Sequence, residues 1–128
     1  MKKGGILHPG LCELLAASGH TDAITICDRG FPVPPEPTRI DLALVDGIPT
    51  VLDVLRAVAA EWTIDRVIIA QEMLEASPQH AAAIRAVIGE RPVEAVSHLE
   101  LKALSHSARG TVRTGDPTPW GNIIVVSG

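Results

Sequence analysis

Apolar residues recur along this chain in short blocks punctuated by Gly, Pro and Asp, and their period changes from block to block. Leu11, Leu14 and Leu15 share one face at helical spacing, and Gly19 stands where a left-handed cap would end that helix. Ala23-Ile24-Thr25-Ile26-Cys27 is an unbroken run of strand length and predicts a buried strand. Pro32, Pro34, Pro35 and Pro37 fit neither a helix interior nor a central ladder, so residues 31–37 predict a rigid loop within a domain. Ile40, Leu42 and Leu44 alternate with Asp41 and Ala43 and predict a strand, after which Val51, Leu52, Val54, Leu55 and Val58 restore a helical stripe.

Residues 66–70 read as a third strand, and Ser77-Pro78 has the chemistry of an N-cap followed by proline at the first helical position, opening a helix that runs to Gly89. Residues 93–96 make a fourth short strand. Ser97-His98-Leu99-Glu100 follows as a capping box, hydroxyl and carboxylate each satisfying an orphan backbone donor. That start places His98 and Lys102, at i and i+4, on a single helical face. Two further strands lie near residues 111–114 and 122–127, separated by Asp116-Pro117-Thr118-Pro119. Six strands interleaved with four helices predict an α/β fold, a sheet covered on both faces.

With 128 residues the chain is the length of one domain, residues 1–128, and scaling predicts that roughly two-thirds of its unfolded surface is buried without disulfide or metal support. A hydrophobic content of 46% against 20% charged residues excludes a disordered tail. The net charge of −4 provides no diffuse cationic field, which disfavours nucleic acid and anionic membranes as partners. No apolar run reaches the roughly 18–20 residues of a membrane span. Lys2-Lys3 before Ile6-Leu7 imitates a signal peptide, but His8, Pro9 and Glu13 interrupt it, and the expectation is a cytoplasmic protein. Cys12 and Cys27 fit no zinc or redox spacing and read as reduced core residues. Phe31, Trp62 and Trp120 are the only aromatic residues, so aliphatic side chains must fill the core.

Candidate chemistry concentrates in three places. Gly19-His20-Thr21-Asp22 leads through a strand to Asp28, placing one imidazole and two carboxylates around a buried strand; this is acid–base equipment, or a helix-terminal His and a strand-end Asp satisfying backbone groups. Asp28 ends its strand on the side where α/β sheets place ligands. Arg29 either neutralises Asp28 or is solvated. His98 and Lys102 can grip hydroxyls or an anion, or form a helical surface pair. Trp120-Gly121-Asn122 sets a flat ring beside an amide, a means of holding a sugar through C–H faces and hydroxyls, or else a packing aromatic. His8, His80 and His106 read as surface histidines, and Glu72, Glu75 and Glu90 as solvated. No phosphate-binding glycine loop, nucleophile elbow or H-E-x-x-H is present, which removes support for nucleotide, serine-hydrolase and zincin readings.

The chain resembles the RbsD/FucU family, in its D-ribose pyranase branch, through Met1-Lys2-Lys3-Gly4, Gly19-His20-Thr21-Asp22, Asp28 with Phe31-Pro32-Val33-Pro34, residues 38–44, residues 97–102, Arg113-Thr114-Gly115 and residues 119–124. Arg39-Ile40-Asp41 favours the ribose branch, whereas Phe31 and Gly121-Asn122 lean toward the fucose mutarotases. The resemblance implies a three-layer α/β/α fold with a mixed sheet of about six strands. It also implies an isomerase that interconverts pyranose and furanose forms of a free aldose, D-ribose foremost, without a cofactor. His20 matches the family's proton donor, Asp28, His98 and Asn122 its sugar-binding positions, and Lys102 a further pocket residue. Trp120 stands where Tyr is usual, and Arg29 where a small residue is common, with a charge able to lower the Asp28 pKa or to fill pocket volume. The resemblance further implies a ring-shaped homo-oligomer, commonly a decamer of two stacked pentamers, with the pocket completed by a neighbouring subunit. An L-fucose-type mutarotase, a non-catalytic sugar-binding or regulatory ring, and a purely structural oligomer are the alternatives.

Overall fold

A computed structural model describes residues 1–128. The first helix, α1 (Pro9–Ala17), begins with His8 as its cap: Nδ1 accepts the Leu11 N–H at 3.2 Å, so this exposed histidine has a local structural task. Strand β1 is Ala23–Cys27, as the unbroken apolar run predicts. Strand β2 is Thr38–Asp41, earlier than the alternation at residues 40–44 indicates. The Leu42 N–H still bonds the Arg113 carbonyl, but at Leu44 the chain bends into a small hairpin closed by Leu44 N–H on the Ile48 carbonyl, leaving Leu44 and Val45 exposed. Helix α2 (Val51–Glu61) starts at a reciprocal box of Thr50 and Asp53 and buries Val51, Val54, Leu55 and Val58. Each such aliphatic side chain contributes roughly 1.5–3 kcal/mol on burial.

Strand β3 (Ile64–Ala70) is followed by a helix without a counterpart in the periodicity, α3 (Gln71–Ala76), whose six residues are too few to display a helical stripe. Helix α4 (Pro78–Ile88) ends at Gly89, which takes φ 67°. Its expected cap is not made by a side chain: the Ser77 hydroxyl instead donates to the Pro119 carbonyl at 2.8 Å. Strand β4 (Val93–Val96), helix α5 (His98–Ser105), strand β5 (Gly110–Arg113) and strand β6 (Ile123–Ser127) complete the chain. At α5 only half of the expected box forms: Ser97 Oγ accepts the Glu100 N–H at 3.1 Å, without a return bond from Glu100.

The sheet order is β2-β5-β1-β6-β3-β4. Pairings of β1 with β5, β2 with β5 and β3 with β4 are parallel, and β6 runs antiparallel between β1 and β3. Helices α1, α2 and α4 pack on one face against Ile24, Ile26, Val67, Ile69, Ile123 and Val125. The other face carries α5, through Leu101, and Phe31 against Cys27, Ile68, Ile124 and Val126. Central strands thus bury both faces, which is why they read as continuous apolar runs. The result is a three-layer α/β/α arrangement with a mixed six-stranded sheet and five helices. After β1 the chain turns toward β2, and after β3 toward β4, so the connections diverge on either side of β6. Ligands of α/β sheets bind at such a divergence, outside the carboxyl ends of the parallel strands.

Candidate active site

A cavity of about 400 Å³ lies at this divergence, lined by Asp28, Gly30, Phe31, Pro32, His98, Pro119, Trp120 and Asn122. Asp28 comes from the end of β1, His98 from the start of α5, and Trp120 and Asn122 from the approach to β6. Asn122 is 2% exposed and joins the walls: its Oδ1 accepts the Asp28 N–H at 2.7 Å, and its Nδ2 lies 3.3 Å from His98 Nε2. The first bond fixes the amide, because only oxygen can accept from an N–H. The amide nitrogen therefore donates toward His98, whose Nε2 must present a lone pair while Nδ1 carries the proton. Asp28 closes a tight turn of its own, Oδ1 accepting the Gly30 N–H at 2.9 Å.

Burial and then the Lys102 charge hold the His98 pKa below the usual imidazole value, outweighing the opposite pull of Glu72 and Asp28. The ring stands edge-on to two aromatic neighbours, with centroids 4.9 Å from Trp120 and 6.1 Å from Phe31. Trp120 is 40% exposed and has φ 59°, the left-handed region that bulky residues rarely occupy. Replacing Lys102 by Met removes a positive charge and should raise the His98 pKa; Glu72→Gln should lower it further. Titration of the His98 ring resonances by NMR checks both signs, and wild-type His98 should titrate below a free imidazole.

The structure brings together Asp28, His98, Trp120 and Asn122 and places Lys102 one helical turn beyond His98. His20 is elsewhere: it is exposed in the turn before β1, at the opposite end of the sheet. The five residues of β1, at about 3.3 Å each, put roughly 17 Å between the two ends. Asp22 is occupied by the Gly19 N–H at 2.8 Å and by Arg109 at 3.1 Å, which together hold its carboxyl below the usual range. Thr21, beside His20, has φ 69°, so the chain's two non-glycine residues in left-handed conformation are Trp120 and the neighbour of His20. Arg29 neither fills the cavity nor turns to Asp28; it pairs at the surface with Asp46, 3.1 Å away. Burial first, then the Asp28 charge, pushes the Cys27 thiol up to about 12, making it a core group, whereas Cys12 is only half-buried.

Three supporting residues are not where their residue types alone place them. Glu72 is not merely solvated, since its Oε2 accepts the His98 N–H at 2.7 Å. His80 is not a surface histidine: it is 8% exposed and lies 3.1 Å from the Gly121 carbonyl. A signal for its burial exists, because His80, Ile84 and Ile88 follow one another at four-residue spacing on the inner face of α4. Asp116, read only as part of a loop, is 2% exposed and accepts the N–H groups of Val51 and Thr118, each at 2.8 Å. His106 is a surface histidine, paired with Glu36 at 3.0 Å.

Comparison with known proteins extends over the whole molecule. The RbsD / FucU transport protein family matches residues 1–128. A D-ribose pyranase of Geobacillus kaustophilus is 47% identical over 128 residues, covering 100% of this chain and 94% of that protein. One from Chloroflexus aggregans is 44% identical, covering 100% and 98%. The structure of Bacillus subtilis RbsD complexed with D-ribose superposes with a TM-score of 0.95 at 39% identity, covering 100% of this chain and 98% of that one. The fucose mutarotase of Streptococcus pneumoniae in complex with L-fucose shares the fold, with a TM-score of 0.83 at 20% identity over 95% and 93% of the two chains. Continuous likeness of sequence and fold from Met1 to Gly128 makes this chain a member of the RbsD/FucU family.

Proposed function

We propose that the protein is a sugar ring-form isomerase that interconverts the pyranose and furanose forms of a free aldose, D-ribose, by general acid–base ring opening. One observation carries the reading: Asp28, His98, Trp120 and Asn122 converge on a single cavity in a chain whose full-length relatives are D-ribose pyranases. A hemiacetal ring opens when its anomeric hydroxyl gives up a proton and its ring oxygen gains one. The free aldehyde then rotates, and a different hydroxyl attacks C1. Proton movement and positioning suffice for this. A carboxylate, an imidazole N–H, an amide and a lysine match the mixed donors and acceptors of sugar hydroxyls, while the indole of Trp120 covers a C–H face.

His20 is the proton donor in this proposal, and it acts in the cavity of a second copy, since it lies at the far end of the sheet from the cavity of its own chain. A homo-oligomer built from pentamers, a decamer in its full form, meets this need. Exposed Leu44, Val45 and Ile48 on the hairpin and Leu99 and Leu104 on α5 support such assembly. Each chain acts as one domain in the cytoplasm; no helix is long and apolar enough to cross a membrane. Saturation-transfer NMR on equilibrating D-ribose, L-fucose and a small panel of other sugars tests the reading. Accelerated exchange between ribopyranose and ribofuranose is expected. Exchange limited to the anomers of L-fucose assigns the site to a mutarotase, and binding without accelerated exchange of any sugar overturns catalysis.

A further inference from the structure

The segment running from α3 into α4 contributes no side chain to the cavity wall, yet three of its side chains hold backbone groups of the wall or immediately beside it. Glu72 accepts the His98 N–H at 2.7 Å. Ser77 donates its hydroxyl to the Pro119 carbonyl at 2.8 Å. His80, nine-tenths buried in the first turn of α4, lies 3.1 Å from the Gly121 carbonyl, a contact that an imidazole makes only as an N–H donor. The carbonyls of Pro119 and Gly121 flank Trp120. A left-handed conformation at a bulky residue costs on the order of 1–3 kcal/mol and persists only where the surroundings over-determine it; one bond grips the peptide that enters the strained residue, and the other holds the chain one peptide beyond the one that leaves it. The third bond seats the opposing ring, because it fixes the backbone from which His98 projects. Helix α5 already has its Ser97 cap, so the Glu72 bond adds placement beyond helix initiation.

We infer that Glu72, Ser77 and His80 form one bracket that sets the spacing between His98 and Trp120, and that they are positioning residues for the ring-form exchange. The kinetic consequence rests on the function proposed above; the placement of Trp120 does not. Gripping both walls from one rigid segment ties the 4.9 Å contact of the two rings to the position of α3 and α4. A sugar bound in the cavity then meets a wall of fixed shape, built from the two touching rings.

The experiment uses the full chain carrying Trp62→Phe, which leaves Trp120 as its single indole. Acrylamide quenching of Trp120 fluorescence and ring exchange of D-ribose are measured on the same samples, with thermal midpoints as a control. Ser77→Ala and His80→Leu should each increase Trp120 quenching and lower kcat/KM about tenfold, the scale of one lost hydrogen bond to a positioned group. His80→Gln keeps an N–H near the same place and should restore both readouts. Combining Glu72→Ala, which removes the acceptor that Gln would keep, with His80→Leu should cost less than the product of the two single losses, since either change already frees the pair of rings. A purely structural role would lower the midpoint and leave quenching and kcat/KM unchanged in the folded variants; that result, or strict multiplicativity of the double variant, overturns the bracket. If His80→Leu does not fold, Ser77→Ala, at a half-buried hydroxyl, carries the same test. If wild-type protein exchanges no sugar, the proposed function fails, and Trp120 quenching alone decides the bracket.

Discussion

Oligomers of His20→Ala mixed with oligomers of Asp28→Ala, after dissociation and reassembly, should regain ring-exchange activity that neither variant has alone. The expectation comes from the separation of the two groups within a chain. His20 precedes β1 and Asp28 follows it, so a site that uses both must draw them from different copies. General acid–base assistance contributes typically 10²–10⁴-fold, and His20→Ala should lose an acceleration on that scale while still binding sugar, as Trp120 fluorescence would report. Asp28→Ala removes the proposed sugar contact and the Gly30 turn, and should weaken binding first. With random reassembly, about a quarter of the pockets join an intact Asp28 to a neighbour's intact His20, so recovery should approach that fraction of wild-type activity. Absence of recovery, in mixed oligomers whose formation is verified by mass, would remove His20 from the mechanism.

The strands and most helices were legible because their signals are local. The runs at β1 and β4 carry their own period, and β1 and β4 have the bounds that the apolar blocks predict. Errors arose where tertiary contact decides. Leu44 continues the alternation after the strand has left the sheet edge, where the hairpin needs no buried partner. Helix α3 is one and a half turns long and buries only Met73, so no period exists to be read. Ser77 has the chemistry of a cap, but a nearby carbonyl of a distant loop competes for its hydroxyl and wins.

The same division holds at the candidate site. Asp28, His98, Trp120 and Asn122 could be singled out by residue type, by strand end and by resemblance, and they do share one cavity. Their order around it follows from β6 running antiparallel between β1 and β3, which no local pattern encodes. Glu72 and His80 escape a reading by residue type because an acidic residue and a histidine outside any motif are usually solvated; their roles consist of bonds to backbone 26 and 41 residues away. Likewise the charge on Arg29 is absorbed by Asp46, on the hairpin that the alternation concealed.

Replacing Asp116 by Ala should produce a larger stability loss than removal of any exposed ion pair in the chain, about 2–4 kcal/mol. Its carboxylate accepts the Val51 N–H, at the buried first turn of α2, and the Thr118 N–H, in the loop that carries Trp120. Truncation leaves the Val51 donor without its partner where water cannot easily replace it, and Val51 itself is fully buried. The exposed pairs, such as Arg29 with Asp46, contribute roughly 0–1 kcal/mol. Burial alone would raise the Asp116 pKa; the bonds from Thr118 and Val51, helped by the nearby His80, outweigh it and hold the group below the usual carboxylate value. A depressed native pKa fixes the sign of the linkage. The contribution of Asp116 is fully present above the unfolded carboxylate value near 3.9 and is lost as pH falls through the lower native value. Asp116→Asn should therefore be destabilised at neutral pH yet lose less stability on acidification than wild type, the two curves converging at low pH. Urea denaturation at fixed protein concentration across pH 2.5–7 reads this directly; parallel curves would mean that the carboxylate's charge is not what holds the turn. Because the same carboxylate anchors both α2 and the Trp120 loop, Asp116→Ala should also raise Trp120 mobility before global unfolding, coupling the stability of the core to the shape of the cavity that Trp120 lines.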